Sequence, residues 1–190
     1  MQAFMSEPEY QLFECFLRNS DRYLEFGTGG STCAASRQVG KGILSVDSSE
    51  EWLKKVADAC AGEEFKVKPV LVYADIGPTG AWGTPIDGSG RDRWPSYYES
   101  VWDRPFSRDT DLYLVDGRFR VACFAQTLLN CRADALIAIH DFASRPSYHI
   151  VRELAREIAS EGELSVFMPV PGRDPEDVRE VLQKHRLDVS

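Results

Sequence analysis

Short apolar runs alternate along the chain with longer stretches of helical periodicity. Residues 23–26, 43–47, 67–73, 111–117, 135–139 and 164–168 read as strands. Between them lie helical patterns over 31–39, 49–61, a stretch entered by Arg118-Phe119-Arg120 and running to about Asn130, and a stretch continuing past His149 to about Ser160. A leading helix is predicted over 6–18, where Tyr10, Phe13, Phe16 and Leu17 share one face and Ser6 and Glu9 have capping-box spacing. A last helix is predicted over 175–186, with Asp174 as its cap. Strands alternating with helices imply parallel βαβ units, hence an α/β fold: a Rossmann-like, doubly wound, mostly parallel sheet with helices on both faces.

The alternation breaks at residues 75–106. Gly77, Pro78, Gly80, Gly83, Pro85, Gly88, Gly90, Pro95 and Pro105 fall here, with Trp82, Trp94, Tyr97, Tyr98 and Trp102. A long connection in a small domain is usually functional or disordered, and this aromatic content speaks against disorder. Three roles are open to it: a substrate-facing insertion with a short helix over 95–103, an aromatic mini-core covering one end of the sheet, or a face for a second copy in a homodimer. Arg91, Arg93 and Arg104 would suit an anionic or sugar-like substrate, although solvated arginines are commoner.

The first strand runs into Glu25-Phe26-Gly27-Thr28-Gly29-Gly30-Ser31-Thr32. Glycines here turn the chain tightly and leave bare backbone at a helix start, where free N–H groups suit a nucleotide-like ligand. The P-loop pattern fails, because no Lys-Ser or Lys-Thr follows the glycines. The dinucleotide fingerprint is half met: Gly27 and Gly29 fit, but its third glycine falls at Thr32. Glu25, inside the strand, is poorly explained by packing and well placed for a cationic ligand group. Asp47 ends the next strand 20 residues after Gly27, the spacing at which an acid meets a ribose hydroxyl in doubly wound folds, or else caps the following helix. Asp75, Asp116, His140 and Asp141 also fall at strand carboxyl ends, where ligands gather in such sheets. The alternative for Asp75 is a turn cap, for Asp116 and Asp141 a turn former, and for His140 a structural hydrogen bonder.

The 190 residues suit a single domain, expected to span 1–190 with 75–106 as an aromatic-rich insertion. Lys plus Arg is 22 against 30 Asp plus Glu, a net charge of −8 that argues against nucleic acid as the main partner. No apolar run approaches the roughly 20 residues of a membrane span, and no signal peptide is read at the start, so a cytoplasmic protein without membrane attachment is expected. Cys15, Cys33, Cys60, Cys123 and Cys131 are scattered and odd in number, which predicts reduced thiols rather than a disulfide framework or zinc site.

Glu-Phe-Gly-Thr-Gly-Gly-Ser-Thr followed by Val-Asp-Ser-Ser resembles motifs I and II of class I S-adenosylmethionine (SAM) dependent methyltransferases. Val-Asp-Gly-Arg-Phe-Arg and Ile-His-Asp-Phe are similar to later motifs of small bacterial members, distantly similar to catechol-type and macrocin-type O-methyltransferases. The resemblance implies SAM held by Glu25, Gly27, Thr28, Gly29, Ser31, Asp47, Ser48, Asp75, Asp116 and Gly117, with Glu25 balancing the methionine ammonium and Asp47 selecting the ribose. It further implies a divalent cation, such as Mg²⁺, on Asp116 and Asp141. His140 stands where an acid is common, which suits either a general base at His140 or a softer ion. His140 and Asp141 are the expected catalytic pair, for methyl transfer to a hydroxyl of a small-molecule or sugar-like acceptor. The Asn/Asp-Pro-Pro-aromatic motif of amino-group nucleic-acid methyltransferases is absent. Two other classes are weighed: a non-catalytic protein on the same fold, and an NAD-linked oxidoreductase, against which Glu25 and Thr32 speak.

Overall fold

A computed structural model describes residues 1–62 and 64–189. The strands are β1 (Arg22–Phe26), β2 (Gly42–Asp47), β3 (Val70–Tyr73), β4 (Leu112–Val115), β5 (Leu136–Ile139), β6 (Ala155–Glu161) and β7 (Leu164–Pro169). They form one seven-stranded sheet in the order β3-β2-β1-β4-β5-β7-β6. The first five are parallel, and β7 joins β5 antiparallel. The order reverses between β1 and β4, which opens a crevice at their carboxyl ends.

Among the described residues six α-helices accompany the strands: α1 (Glu7–Arg18), α2 (Gly30–Gln38), α3 (Glu50–Ala59), α4 (Ser96–Glu99), α5 (Arg120–Asn130) and α6 (Pro175–His185). The central strands β1, β2 and β4 are buried on both sides, so they read as continuous apolar runs rather than alternating ones. On one face Tyr23, Ile43, Leu112 and Leu114 pack with Phe13 and Leu17 of α1 and Ala34 and Ala35 of α2. On the other, Phe26, Val46, Tyr113 and Val115 meet α5 and the aromatic segment. The leading helix begins as its sequence predicts: Ser6 N–H donates to Glu9 Oε2 at 2.6 Å, closing a capping box. The five cysteines are free thiols, with Cys33 and Cys60 facing each other between α2 and α3 at 2.7 Å, and burial pushes the Cys60 thiol up to about 12.

Three expectations are corrected. The helix expected to continue to about Ser160 ends early. A 3-10 segment, Pro146–Glu153, gives way to β6, which pairs with β7 across a turn at Gly162 (φ +53°). The short helix expected over 95–103 is only α4, and the third strand starts at Val70 rather than 67.

The aromatic segment divides. Trp94, Tyr97, Tyr98 and Trp102 are buried, and the rings of Trp94, Tyr97 and Tyr98 lie 5.7, 5.6 and 6.2 Å from that of Phe119. Trp102 Nε1 donates to Tyr98 O at 2.7 Å and Tyr113 Oη donates to Ser107 O at 2.7 Å, whereas Trp94 Nε1 is buried without a hydrogen-bond partner. This part is the mini-core. Trp82, by contrast, is 80% exposed. Among the described residues no helix is long and apolar enough to cross a membrane.

Candidate functional site

A cavity of about 880 Å³ opens where β1, β2, β4 and β5 end. The glycine turn, Asp47, Ser48, the tip of the aromatic segment, Asp116, Gly117, Arg118, Arg120, His140 and Asp141 all line it, as do residues 1–5. Its size falls in the range of small-molecule sites.

The turn is fixed by backbone proximity. Gly27 sits at φ +99°, and a Cβ there would lie 2.6 Å from Gly117 N and 2.7 Å from Gly117 Cα. Its N–H donates to Val46 O at 2.8 Å, while Asp116 N–H donates to Phe26 O at 2.9 Å. Strands β1, β2 and β4 are thereby tied together at the crevice. A Cβ on Gly29 would meet nothing within 4 Å, so the bare backbone there borders open space. Gly30 differs: Gln2 and Ala3 cross directly over it, within 2.1 Å of where a Cβ would sit.

Asp47 organises the second wall. Its Oδ2 accepts Thr28 N–H and Thr28 Oγ1, each at 3.0 Å, and its Oδ1 accepts Ser49 N–H at 3.1 Å. Burial nevertheless holds its carboxyl above the usual range. Trp52 from α3 donates its indole N–H to Thr28 O at 2.8 Å, bracing the same turn.

Glu25 departs from expectation. It is fully buried and does not line the cavity. Its carboxylate accepts Ser31 Oγ at 2.6 Å, Ser45 Oγ at 2.7 Å, Tyr23 Oη at 2.8 Å and the Thr32 hydroxyl. Thr32 in turn accepts Gly29 N–H at 2.9 Å. The expected direct contact with a ligand ammonium is corrected: the acid lies beneath the turn and ties its hydroxyls to β2. Burial pushes Glu25 up to about 7 from 4.5, with the four hydroxyl donors opposing.

A pH prediction follows. Below pH 4.5 Glu25 is protonated whether folded or unfolded and carries no penalty. Between 4.5 and 7 the unfolded chain releases the proton and the folded chain keeps it, so folding stability falls as pH rises, by up to about 3 kcal/mol, and levels off above 7. Denaturant unfolding of wild type and Glu25→Gln at both ends of this window checks it. The slope is expected in wild type and reduced in the variant; equal slopes would contradict it.

Asp75 also departs. It is exposed, pairs with Arg93, accepts Gly77 N–H at 3.0 Å and does not line the cavity. It caps the turn after β3 rather than facing the cofactor space.

The remaining strand ends converge. His140 Nδ1 lies 3.2 Å from Asp116 Oδ1 and 3.5 Å from Asp141 Oδ1. Its Nε2 is buried without a hydrogen bond, 3.7 Å from Glu9 Oε2 of α1. Burial pulls the imidazole down, but the hydrogen bond and charge of Asp116 and the charge of Asp141 outweigh it, so His140 holds a proton more firmly than an ordinary histidine. Donor atoms of Asp116, His140 and Asp141 all lie within 4.8 Å of one another, the spacing that sharing one metal ion would require.

Beside them lies a residue that sequence reasoning passed over. Arg120, the first residue of α5, is 3% exposed and pairs with both acids through Nη2, at 3.2 Å to Asp116 and 3.0 Å to Asp141. Two signals marked it. It stands four residues after Asp116, and a cation at a helix N-terminus opposes the helix dipole unless an acid answers it. Arg145 adds a second cation, 3.2 Å from Asp141 Oδ2. Residues 1–5 and Trp52 were missed too, having no pattern that marks them as cavity lining.

At the mouth, Phe4 and Trp82 are 86% and 80% exposed, with ring centroids 6.2 Å apart. Trp82 sits at φ 60°, a left-handed backbone that a bulky residue rarely adopts.

Solved structures of known proteins share this architecture. A methyltransferase-like protein from Silicibacter pomeroyi is 29% identical, with a TM-score of 0.88 over 98% of this chain and 97% of that one. The O-methyltransferase TomG from Streptomyces achromogenes, solved in complex with SAM, is 18% identical with a TM-score of 0.56, over 87% of this chain and 81% of that one. MycE, a methyltransferase of mycinamycin biosynthesis solved with Mg and S-adenosylhomocysteine (SAH), is 15% identical with a TM-score of 0.50, over 91% of this chain and 51% of that one. No protein-family model matches the sequence, and no curated protein matches it.

Proposed function

On the class I SAM-dependent methyltransferase-like fold that this chain has, we propose that it binds SAM and transfers its methyl group to a hydroxyl of a small-molecule or sugar-like acceptor. The observation that carries this reading is the cavity itself. Bare backbone at Gly27 and Gly29, a carboxylate at Asp47 and the convergent group at His140 meet where the sheet order reverses.

SAM, when bound, supplies a methyl carbon already activated by its sulfonium. The residues here bind, orient and move one proton. The open backbone at Gly29 takes the methionine part, and Asp47 accepts the ribose hydroxyls while holding Thr28 in place. Ser31, Ser48 and Gly117 complete the wall, with Gly117 beside the adenine. With SAM bound, an acceptor hydroxyl beside it would pass its proton to the His140–Asp141 pair while its oxygen took the methyl carbon and the C–S electrons stayed on sulfur, giving SAH. Phe4 and Trp82 at the mouth offer flat apolar faces that suit a planar ring or the C–H face of a sugar.

One observation favours a second reading, a non-catalytic protein on this fold. Both His140 nitrogens face carboxylates and the residue is 6% exposed, which limits its reach as a base. Methyl transfer from labelled SAM to phenolic and sugar acceptors separates the two. Catalysis predicts label on an acceptor hydroxyl, and a loss of roughly 10²-fold or more in kcat for His140→Gln and Asp141→Asn. SAH binding with no transfer to any acceptor would favour the second reading.

A further inference from the structure

The resemblance assigns Asp116 and Asp141 to a divalent cation, and MycE was solved with Mg. The residues present answer that assignment differently. Asp116 Oδ1 and Asp141 Oδ2 both contact the same nitrogen, Nη2 of Arg120, at 3.2 and 3.0 Å. The guanidinium has little freedom to leave. Its Nε donates to Gly117 O at 3.0 Å, Nη2 to Asp116 O at 3.0 Å, and Nη1 to His140 O. Swinging it away would unpair three carbonyls and strand a charge that is 3% exposed. A divalent ion entering beside it would meet like charge at a few ångströms. The third donor is an imidazole, whereas Mg²⁺ prefers oxygen ligands.

We propose that Arg120 stands in place of the divalent cation, so that the site works without a metal. The guanidinium neutralises Asp116 and Asp141, and its bonds to three carbonyls hold the ends of β4 and β5 in register beside the cavity. Arg120 is therefore a positioning residue, and the acceptor hydroxyl is activated by side chains alone. Only this last step rests on the methyltransferase reading. The cation claim is tested on the protein without cofactor.

The experiment is a Mn²⁺ titration of the full chain followed by electron paramagnetic resonance, which reads free Mn²⁺ directly. Wild type is expected to leave the free-ion signal unchanged up to millimolar Mn²⁺. Arg120→Ala, which vacates the two carboxylates, is expected to bind Mn²⁺ about tenfold or more tighter than wild type, and Arg120→Ala/Asp141→Asn to lose that gain. Micromolar Mn²⁺ binding by wild type, weakened by Asp116→Asn or Asp141→Asn, would overturn the proposal. So would a folded Arg120→Ala variant with no gain. Should Arg120→Ala fail to fold, Arg120→Gln, which keeps an amide donor for the carbonyls, takes its place under the same two criteria. SAH titration with and without EDTA, run in parallel, keeps the two readings apart. A protein that ignores both Mn²⁺ and SAH fails the methyltransferase reading and leaves the cation proposal standing.

Discussion

Replacing Gly27 with alanine is expected to destabilise the fold by at least about 2 kcal/mol, lowering Tm by roughly 4–8 °C or more, and to weaken SAH binding in whatever protein still folds. Two costs combine. At φ +99° an L-residue is strained. The new methyl would also lie 2.6 Å from Gly117 N and 2.9 Å from Asp116 C. These are backbone atoms of the β4 turn, held by Asp116 N–H on Phe26 O, so they cannot step aside as a flexible side chain would. Relief requires β1 and β4 to part at the crevice. Thermal unfolding checks this, and a Tm within a degree or two of wild type would contradict the account of the turn. Gly29→Ala is the useful contrast. Its methyl meets nothing within 4 Å, so any loss there should appear in ligand affinity rather than in stability.

The second large effect is expected at Asp47. Asp47→Ala should weaken SAH by about 10- to 100-fold, the worth of charge-assisted hydrogen bonds in a partly buried site. The side chain accepts from Thr28 N–H, Thr28 Oγ1 and Ser49 N–H, so its loss loosens the glycine turn as well as removing the proposed ribose contact. Asp47→Asn keeps an acceptor oxygen and should fall between. Calorimetry on folded variants reads the outcome, and unchanged affinity in Asp47→Ala would remove this residue from the cofactor site.

The sheet through β5 and the glycine turn were legible in the sequence because their signals are local. A buried strand is a continuous apolar run, and a turn that needs bare backbone shows its glycines. Asp47, Asp116, His140 and Asp141 could be placed together because strand carboxyl ends share one edge. The terminal hairpin was less legible. Strand β6, Ala-Arg-Glu-Ile-Ala-Ser-Glu, is an edge strand with a mostly solvated face, and its charged residues, which suit an edge, also suit a helix. Glu25 and Asp75 were placed correctly in the chain but not in space. Whether an acid at a strand end turns toward the cavity depends on partners distant in sequence. For Glu25 these are the hydroxyls of Tyr23, Ser31, Thr32 and Ser45, and for Asp75 the guanidinium of Arg93. Arg120 was missed for the same reason, since its second acid, Asp141, lies on another strand end.

These observations converge on one claim, that the cavity at the glycine turn is a SAM site. Isothermal titration calorimetry of the full chain with SAH, with NAD⁺ as the comparison, tests it most directly. The account predicts micromolar SAH binding, weakened in Asp47→Ala, and no heat from NAD⁺. Binding of NAD⁺ without SAH, or of neither, would contradict it.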